Sequence, residues 1–381
     1  MSSRPRNHCA VCSKKPVRIE RIVLDRVRVP LHEPFRISSG VISAKDAVVV
    51  EAHGEGLIGY GEASPMAGSF YSPETPESTW CALAEDLVPA LLRRGAASLP
   101  DLVEGIDGYG AEPFARAGLE NALWDLEARR QGRPLWALLD GNDRAVPSGL
   151  AVGLYDTVEE LLERVRRFLG DGYHRVKIKI THGWDITPLE ALRRELPDLP
   201  LMVDANAAYG SDDLALIREL DRFSLLMIEQ PFARDALELS AEAQRAMRTP
   251  ICADESAESL EALRRIVALG SARIINVKVQ RVGGLAAARK MHDAAAGAGL
   301  PCWVGTMPEL GIASAHGLHL ATLPNFTYPS DIEASARWYP EDITGPRIEL
   351  SAGGCIRLPA GPGIGYRPDF ARFIQHTAEF S

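Results

Sequence analysis

Hydrophobic and polar positions alternate in two different rhythms along this chain, and the change falls near Pro147. From Val17 to Glu51 the period is two, through RIERIVLDRVRVPL and AKDAVVVEAHGEG, and the glycine-rich LIGYGEAS continues it. That pattern predicts a meander of antiparallel strands. Helical rhythm follows. SPETPESTWCALAEDLVPALLRR opens on Ser/Thr with acidic early turns and ends basic, and FARAGLENALWDLEARRQG stops at a glycine. Strands first and helices afterwards predict an α+β capping domain over residues 17–145. The polar, basic residues 1–16 read as a disordered or loosely attached extension.

Beyond Pro147, short apolar runs alternate with amphipathic helices. The runs are GLAVGL, RVKIKI, PLMVDAN, LLMIEQP, PICADES, RIINVKV, PCWVG and NFTYPSDIE. Patterns such as TVEELLERVRRFLGDGY and GLAAARKMHDAAAGAGL separate them. Eight strands with intervening helices predict an α/β fold, a (β/α)8-type barrel over residues 146–345. Residues 346–381 are expected to return to the capping domain.

Composition narrows the function. A length of 381 residues suits one barrel with an accessory domain. A net charge of −9 argues against a nucleic-acid partner, which normally meets a basic face. No apolar run approaches the roughly 18 residues of a membrane span, and the N-terminus lacks the apolar stretch of a secretory signal. Six cysteines scattered through a large chain favour reduced thiols and a cytoplasmic location. Cys9 and Cys12 form a C-x-x-C with only His8 beside them, too little for a zinc or redox site, and read as incidental.

The charged residues then stand out by position. Lys177 and Lys179 sit in RVKIKI, Asp204 in MVDAN, Glu229 in MIEQP, Asp254 in CADES and Lys278 in NVKVQ. From Lys179 onward they follow at intervals of 25, 25, 25 and 24 residues, one βα unit each. Each charge therefore falls at the C-terminal end of a successive barrel strand, the face that carries barrel active sites. A lone K-I-K or V-D-A-N is ordinarily a solvated strand end. Equal spacing over consecutive strands is not produced by that.

Three carboxylates aimed at one point repel unless a cation lies between them. Oxygen donors without Cys or His suit a hard ion, Mg²⁺ or alternatively Mn²⁺, held by Asp204, Glu229 and Asp254. The substrate is then a small-molecule carboxylate whose α-proton is taken by Lys179 on one face. Lys278 serves the other face, as a second base or as a stabilising cation, and Lys177 helps bind the enolate oxygen and tunes Lys179. Asn206, Glu255 and Arg281 adjoin these groups, Asn206 as a substrate-binding or supporting residue and Glu255 and Arg281 as supporting residues. His316 and His319 fit one helix face and read as packed histidines.

These motifs resemble the enolase superfamily, in its muconate lactonizing enzyme-like branch. PFRISSG, YSPETPESTW, GYHRVKIKITHGWD, VDANAAYG and LPNFTYPSDIEAS are similar to the o-succinylbenzoate synthase/N-succinylamino acid racemase group. The resemblance implies a capping domain over the barrel mouth, Mg²⁺, a homo-oligomer, and either dehydration in menaquinone biosynthesis or amino acid racemisation. It also implies that the loop carrying Phe35 and Ser38 folds over the substrate. Gly305, Thr306, Met307 and Asp331 would lie against the substrate's far parts. GTMPELGI departs from the group's usual pattern, and Glu333 adds an acid two residues after Asp331. In dipeptide epimerases a pair of acids here binds an ammonium, so that activity is an alternative, as is muconate cycloisomerisation. A barrel that binds ligand without catalysis is a remote third.

Overall fold

The computed structural model describes residues 15–37, 40–68, 72–109 and 112–381. Ser38 and the Cys9–Cys12 pair lie outside the described residues. The period-two segments form three long strands, β1 (Arg21–Ile37), β2 (Gly40–Gly54) and β3 (Leu57–Ala63), paired antiparallel in sequence order. In β1 the buried residues Ile22, Leu24, Val27, Val29 and Leu31 keep one face apolar. Seven residues at the C-terminus, Ile374–Phe380, add to the outer side of β1 and complete a four-stranded sheet.

The helix Pro113–Arg130 lies across β3 at close range. A Cβ at Gly61 would stand 2.0 Å from the Gly118 carbonyl, and one at Gly59 would stand 2.2 Å from that of Ala122. The glycine-rich LIGYGEAS is thus a strand whose missing side chains admit a helix backbone.

Seven parallel strands form the barrel wall: β4 (Leu150–Val152), β5 (Val176–Lys179), β6 (Leu201–Asp204), β7 (Ile228–Glu229), β8 (Ile251–Ala253), β9 (Ile274–Val277) and β10 (Cys302–Val304). The eighth apolar run differs from expectation. NFTYPSDIE forms isolated bridges from Phe326 to Cys302 and from Ser330 to Ser148 rather than a continuous strand. Pro329 within it has no N–H to give a ladder. The wall still closes: Gly149 donates to the Ser330 carbonyl at 2.7 Å, and Asp331 donates to the Val304 carbonyl at 2.9 Å.

Carboxylates of the capping domain hold the two units together. Glu62, at the end of β3, accepts from the amides of Leu310 (3.0 Å) and Ala313 (2.8 Å), where the barrel helix Gly311–Leu320 begins. Glu120, on the capping helix, accepts from the Ala286 amide at 2.6 Å, in the first turn of the helix Leu285–Gly297. A negative group belongs at such an end. The Gly283–Gly284 pair has φ of +92° and +128°, and a Cβ at Gly284 would meet the Glu120 carboxylate at 2.5 Å.

Burial pushes the Glu120 carboxyl up to about 7. A carboxyl whose folded pKa lies above its unfolded value favours folding most at low pH. That contribution is lost as pH rises from about 4.5 towards 7. Glu120→Gln keeps an acceptor for Ala286 and cannot ionise. Over that window the wild type should therefore lose about 3 kcal/mol relative to the variant. Thermal unfolding of both proteins between pH 4.5 and 8 checks it; parallel curves would contradict the assignment.

Candidate active site

Strand alternation delivers the charged groups to one place. Arg175, Lys177 and Lys179 are two residues apart on and beside β5, so their side chains share a face. Register pairing sets Lys179 beside Asp204 and Asp204 beside Glu229 across three neighbouring strands. All of Lys177, Lys179, Asp204, Glu229, Asp254, Lys278 and Asp331 are buried.

The ammonium of Lys179 lies 2.5 Å from Asp204 Oδ2 and donates to Asn206 Oδ1 at 2.8 Å. Lys177 donates to Glu229 Oε2 at 3.0 Å, stands 3.6 Å from Asp204 Oδ2 and contacts Asp331. On the far flank, Asp254 accepts from Lys278 at 2.9 Å and from Arg281 at 2.6 Å. Asn206 also donates to Glu255 at 3.0 Å, so the two predicted neighbours of the carboxylates join in one network.

The electrostatics follow the geometry. Burial pushes the Glu229 carboxyl up to about 8, with the nearby Asp204 adding to it. Burial also works against the charged forms of Asp204 and Asp254. There Lys179 and Lys177 outweigh it for Asp204, and Arg281 and Lys278 for Asp254, holding both below the usual range. Glu255 rises to about 7 through burial and the charges of Asp254 and Asp204. Lys177 stays an ammonium: burial opposes it, but Asp331, Glu229 and Asp204 raise its pKa well above the ordinary value.

A cleft opens above these groups between the barrel mouth and the capping domain. Lys177, Lys179, Lys278, Asn206, Thr306, Met307 and Asp331 line it, with Phe35 of the β1–β2 hairpin as part of its roof. Phe35 packs edge-on against Trp338, ring centroids 4.9 Å apart. The three predicted metal ligands, Glu255 and Arg281 lie outside the cleft wall. Gly305 does not line it either. A Cβ there would stand 2.2 Å from Asn276 Oδ1, so this glycine makes room for Asn276.

Asn276, which donates to Glu229 Oε1 at 2.7 Å, and Arg175, 2.8 Å from Asp331, belong to the site although sequence reasoning passed them over. Both stand two residues before a lysine already singled out, a period-two signal that could have found them. Met66, Ile37, Ala151, Pro308 and Trp338 complete the cleft wall with no comparable signal. His316 and His319 are satisfied packing residues, bonded to the carbonyls of Ile312, Asn121 and Ile364.

Asp331 is held near about 2: burial opposes the carboxylate, and Lys177 and Arg175 overcome it. Removing it leaves two buried cations without their shared anion. Asp331→Ala is expected to destabilise the fold by about 3–5 kcal/mol, read as a lower denaturant midpoint. A change below about 1 kcal/mol, the range of exposed pairs, would contradict a buried pairing.

Comparison with known proteins agrees with this architecture. Residues 18–140 match the mandelate racemase/muconate lactonizing enzyme N-terminal domain, and residues 160–372 match the enolase C-terminal domain-like family. An o-succinylbenzoate synthase of Geobacillus kaustophilus is 40% identical over 95% of this chain and 96% of its own. An N-succinylamino acid racemase of Thermus thermophilus is 40% identical over 92% of this chain and 94% of its own. A crystal structure of an enolase-superfamily member from Listeria innocua superposes with a TM-score of 0.90 at 34% identity, covering 96% of this chain and 99% of that one. The chain belongs to the mandelate racemase/muconate lactonizing enzyme family of the enolase superfamily, in the group of o-succinylbenzoate synthases and N-succinylamino acid racemases.

Proposed function

We propose that this enzyme takes the proton α to the carboxylate of a succinylated small molecule and passes through an enolate. The outcome is dehydration to o-succinylbenzoate, racemisation of N-succinylamino acids, or both. One observation carries the reading: Lys179 and Lys278 line the same cleft from either side of three strand ends bearing buried carboxylates.

Asp204, Glu229 and Asp254 would hold the divalent cation, Mg²⁺ or Mn²⁺. Among the described residues no three His, Cys, Asp or Glu side chains converge as a ready-made cage. The donor set nevertheless fits a hard dication. Three buried carboxylates stand on neighbouring strand ends, and their mutual repulsion helps to push Glu229 up to about 8. When bound, the cation supplies positive charge to the substrate carboxylate as the enolate's second charge develops.

The chain's own groups do the rest. Lys179 or Lys278, as a free amine, takes the α-proton onto Nζ. In racemisation the opposite lysine, as an ammonium, returns a proton to the other face. In dehydration the lysine that took the proton gives it to the departing hydroxide. Lys177, held charged by Asp331, Glu229 and Asp204, supplies a fixed positive neighbour for the enolate. Phe35, Met66 and Trp338 give the cleft apolar walls.

The dipeptide alternative loses its support. Asp331 is paired with Arg175 and Lys177. Glu333 accepts from the Ala151 amide at 2.5 Å, lies 3.5 Å from Arg337 and does not line the lysine cleft. Asp331 lines the cleft already paired with two cations, and Glu333 lies outside it, so the cleft does not present a pair of acids to an incoming ammonium.

The test is direct. With Mg²⁺, the optical rotation of an N-succinylamino acid should decay towards zero, or the hydroxylated precursor of o-succinylbenzoate should give an aromatic absorbance. Neither change, in folded and metal-supplied enzyme, would reject the succinyl reading.

A further inference from the structure

Lys278 directly follows β9 and is the N-cap residue of the short helix Val279–Val282. Gln280, two residues on and 1% exposed, turns away from the metal-ligand side into the capping domain. Its Nε2 donates to the Glu62 carbonyl at 2.8 Å, and its Oε1 accepts from the Ser64 amide at 3.1 Å. One side-chain amide thus pairs with the end of β3 at two points, as a neighbouring strand would.

That strand end is fixed on every side. The Glu62 carboxylate takes the amides of Leu310 and Ala313, just beyond the Thr306–Met307 wall of the cleft. Lys45, 1% exposed, donates to the carbonyls of Ser64 and Pro65, each at 2.7 Å. The next residue, Met66, lines the same cleft as Lys278. The clamp therefore ties the Lys278 segment to the part of the capping domain that covers the substrate.

We propose that Gln280 is a positioning residue that sets Lys278, and not Lys179, against the substrate. Among the described residues no capping-domain side chain bonds to β5 in this way, and β5 is held by its parallel neighbours. This rests on the two-base reading above. A residue serving only as interdomain glue would affect both faces alike.

Gln280→Met keeps the length and shape of the side chain and removes both hydrogen bonds. Proton NMR in D₂O with Mg²⁺ follows α-proton loss from each enantiomer of an N-succinylamino acid. A displacement of the base by a fraction of an ångström costs on the order of tenfold. Exchange of the enantiomer facing Lys278 should fall by that factor, with the other enantiomer changed less than about twofold. Deuterium uptake should rise in peptides spanning 57–66 and 279–284. Equal losses for the two enantiomers, or unchanged uptake in 57–66, would overturn the proposal. The two readings fail separately. A wild type that exchanges neither enantiomer rejects the two-base chemistry, and the uptake data then decide alone whether Gln280 clamps β3.

Discussion

Lys278→Ala is expected to abolish racemisation while α-proton exchange persists for the enantiomer that faces Lys179. Removing a general base costs about 10²–10⁴-fold, and that loss should fall on one enantiomer. The protein should remain folded, because Asp254 keeps its 2.6 Å bond from Arg281. Lys179→Ala should show the mirror-image pattern, with Asp204 still 3.6 Å from the Lys177 ammonium. Dehydration needs a single base, so it should discriminate between the two variants: the lysine that removes the proton is lost at full cost, the other at less. Separate initial rates for the two enantiomers check this, and equal losses in both variants would contradict the division of labour.

Chelation of the divalent cation should have an effect as large. The proton α to a carboxylate is very weakly acidic, and without a dication a second negative charge must develop beside the first. A metal supplies several kcal/mol to such a transition state, so dialysis against EDTA should lower turnover by roughly 10³-fold or more. Mg²⁺ should restore it, and Mn²⁺ as well. Glu229→Gln should resist restoration. The amide has a single acceptor oxygen, and Asn276 already donates to one oxygen of Glu229 at 2.7 Å. Full turnover after chelation, or rescue of the Gln variant by ordinary Mg²⁺ concentrations, would contradict the ligand assignment.

Much of this was legible in the sequence because barrel geometry converts position into direction. A strand end recurs with each βα unit, so charges at intervals of 25, 25, 25 and 24 residues announce one rim. The amphipathic strands of the capping sheet announce themselves by period two. The failures have physical causes as well. NFTYPSDIE reads as a strand, but Pro329 denies it a ladder and tertiary closure supplies isolated bridges. Gly305 reads as a substrate contact, yet its missing side chain serves Asn276.

Contacts between the units were the least legible. Glu62, Glu120 and Gln280 look like ordinary polar residues in a helix or at a strand end. Their roles depend on which helix start or strand end the other domain brings to them, and local periodicity carries none of that. The need for Gly283 and Gly284 likewise comes from the other domain, through Arg116 beside the first and the Glu120 carboxylate beside the second.

The most direct test of the central claim is proton NMR of both enantiomers of an N-succinylamino acid with the wild-type enzyme and Mg²⁺ in D₂O. Two lysines flanking one cleft predict loss of the α-proton signal from both enantiomers, and no loss once the metal is chelated. Persistence of both signals in folded, metal-supplied enzyme would contradict two-base racemisation by Lys179 and Lys278 and leave dehydration as the reaction of the site.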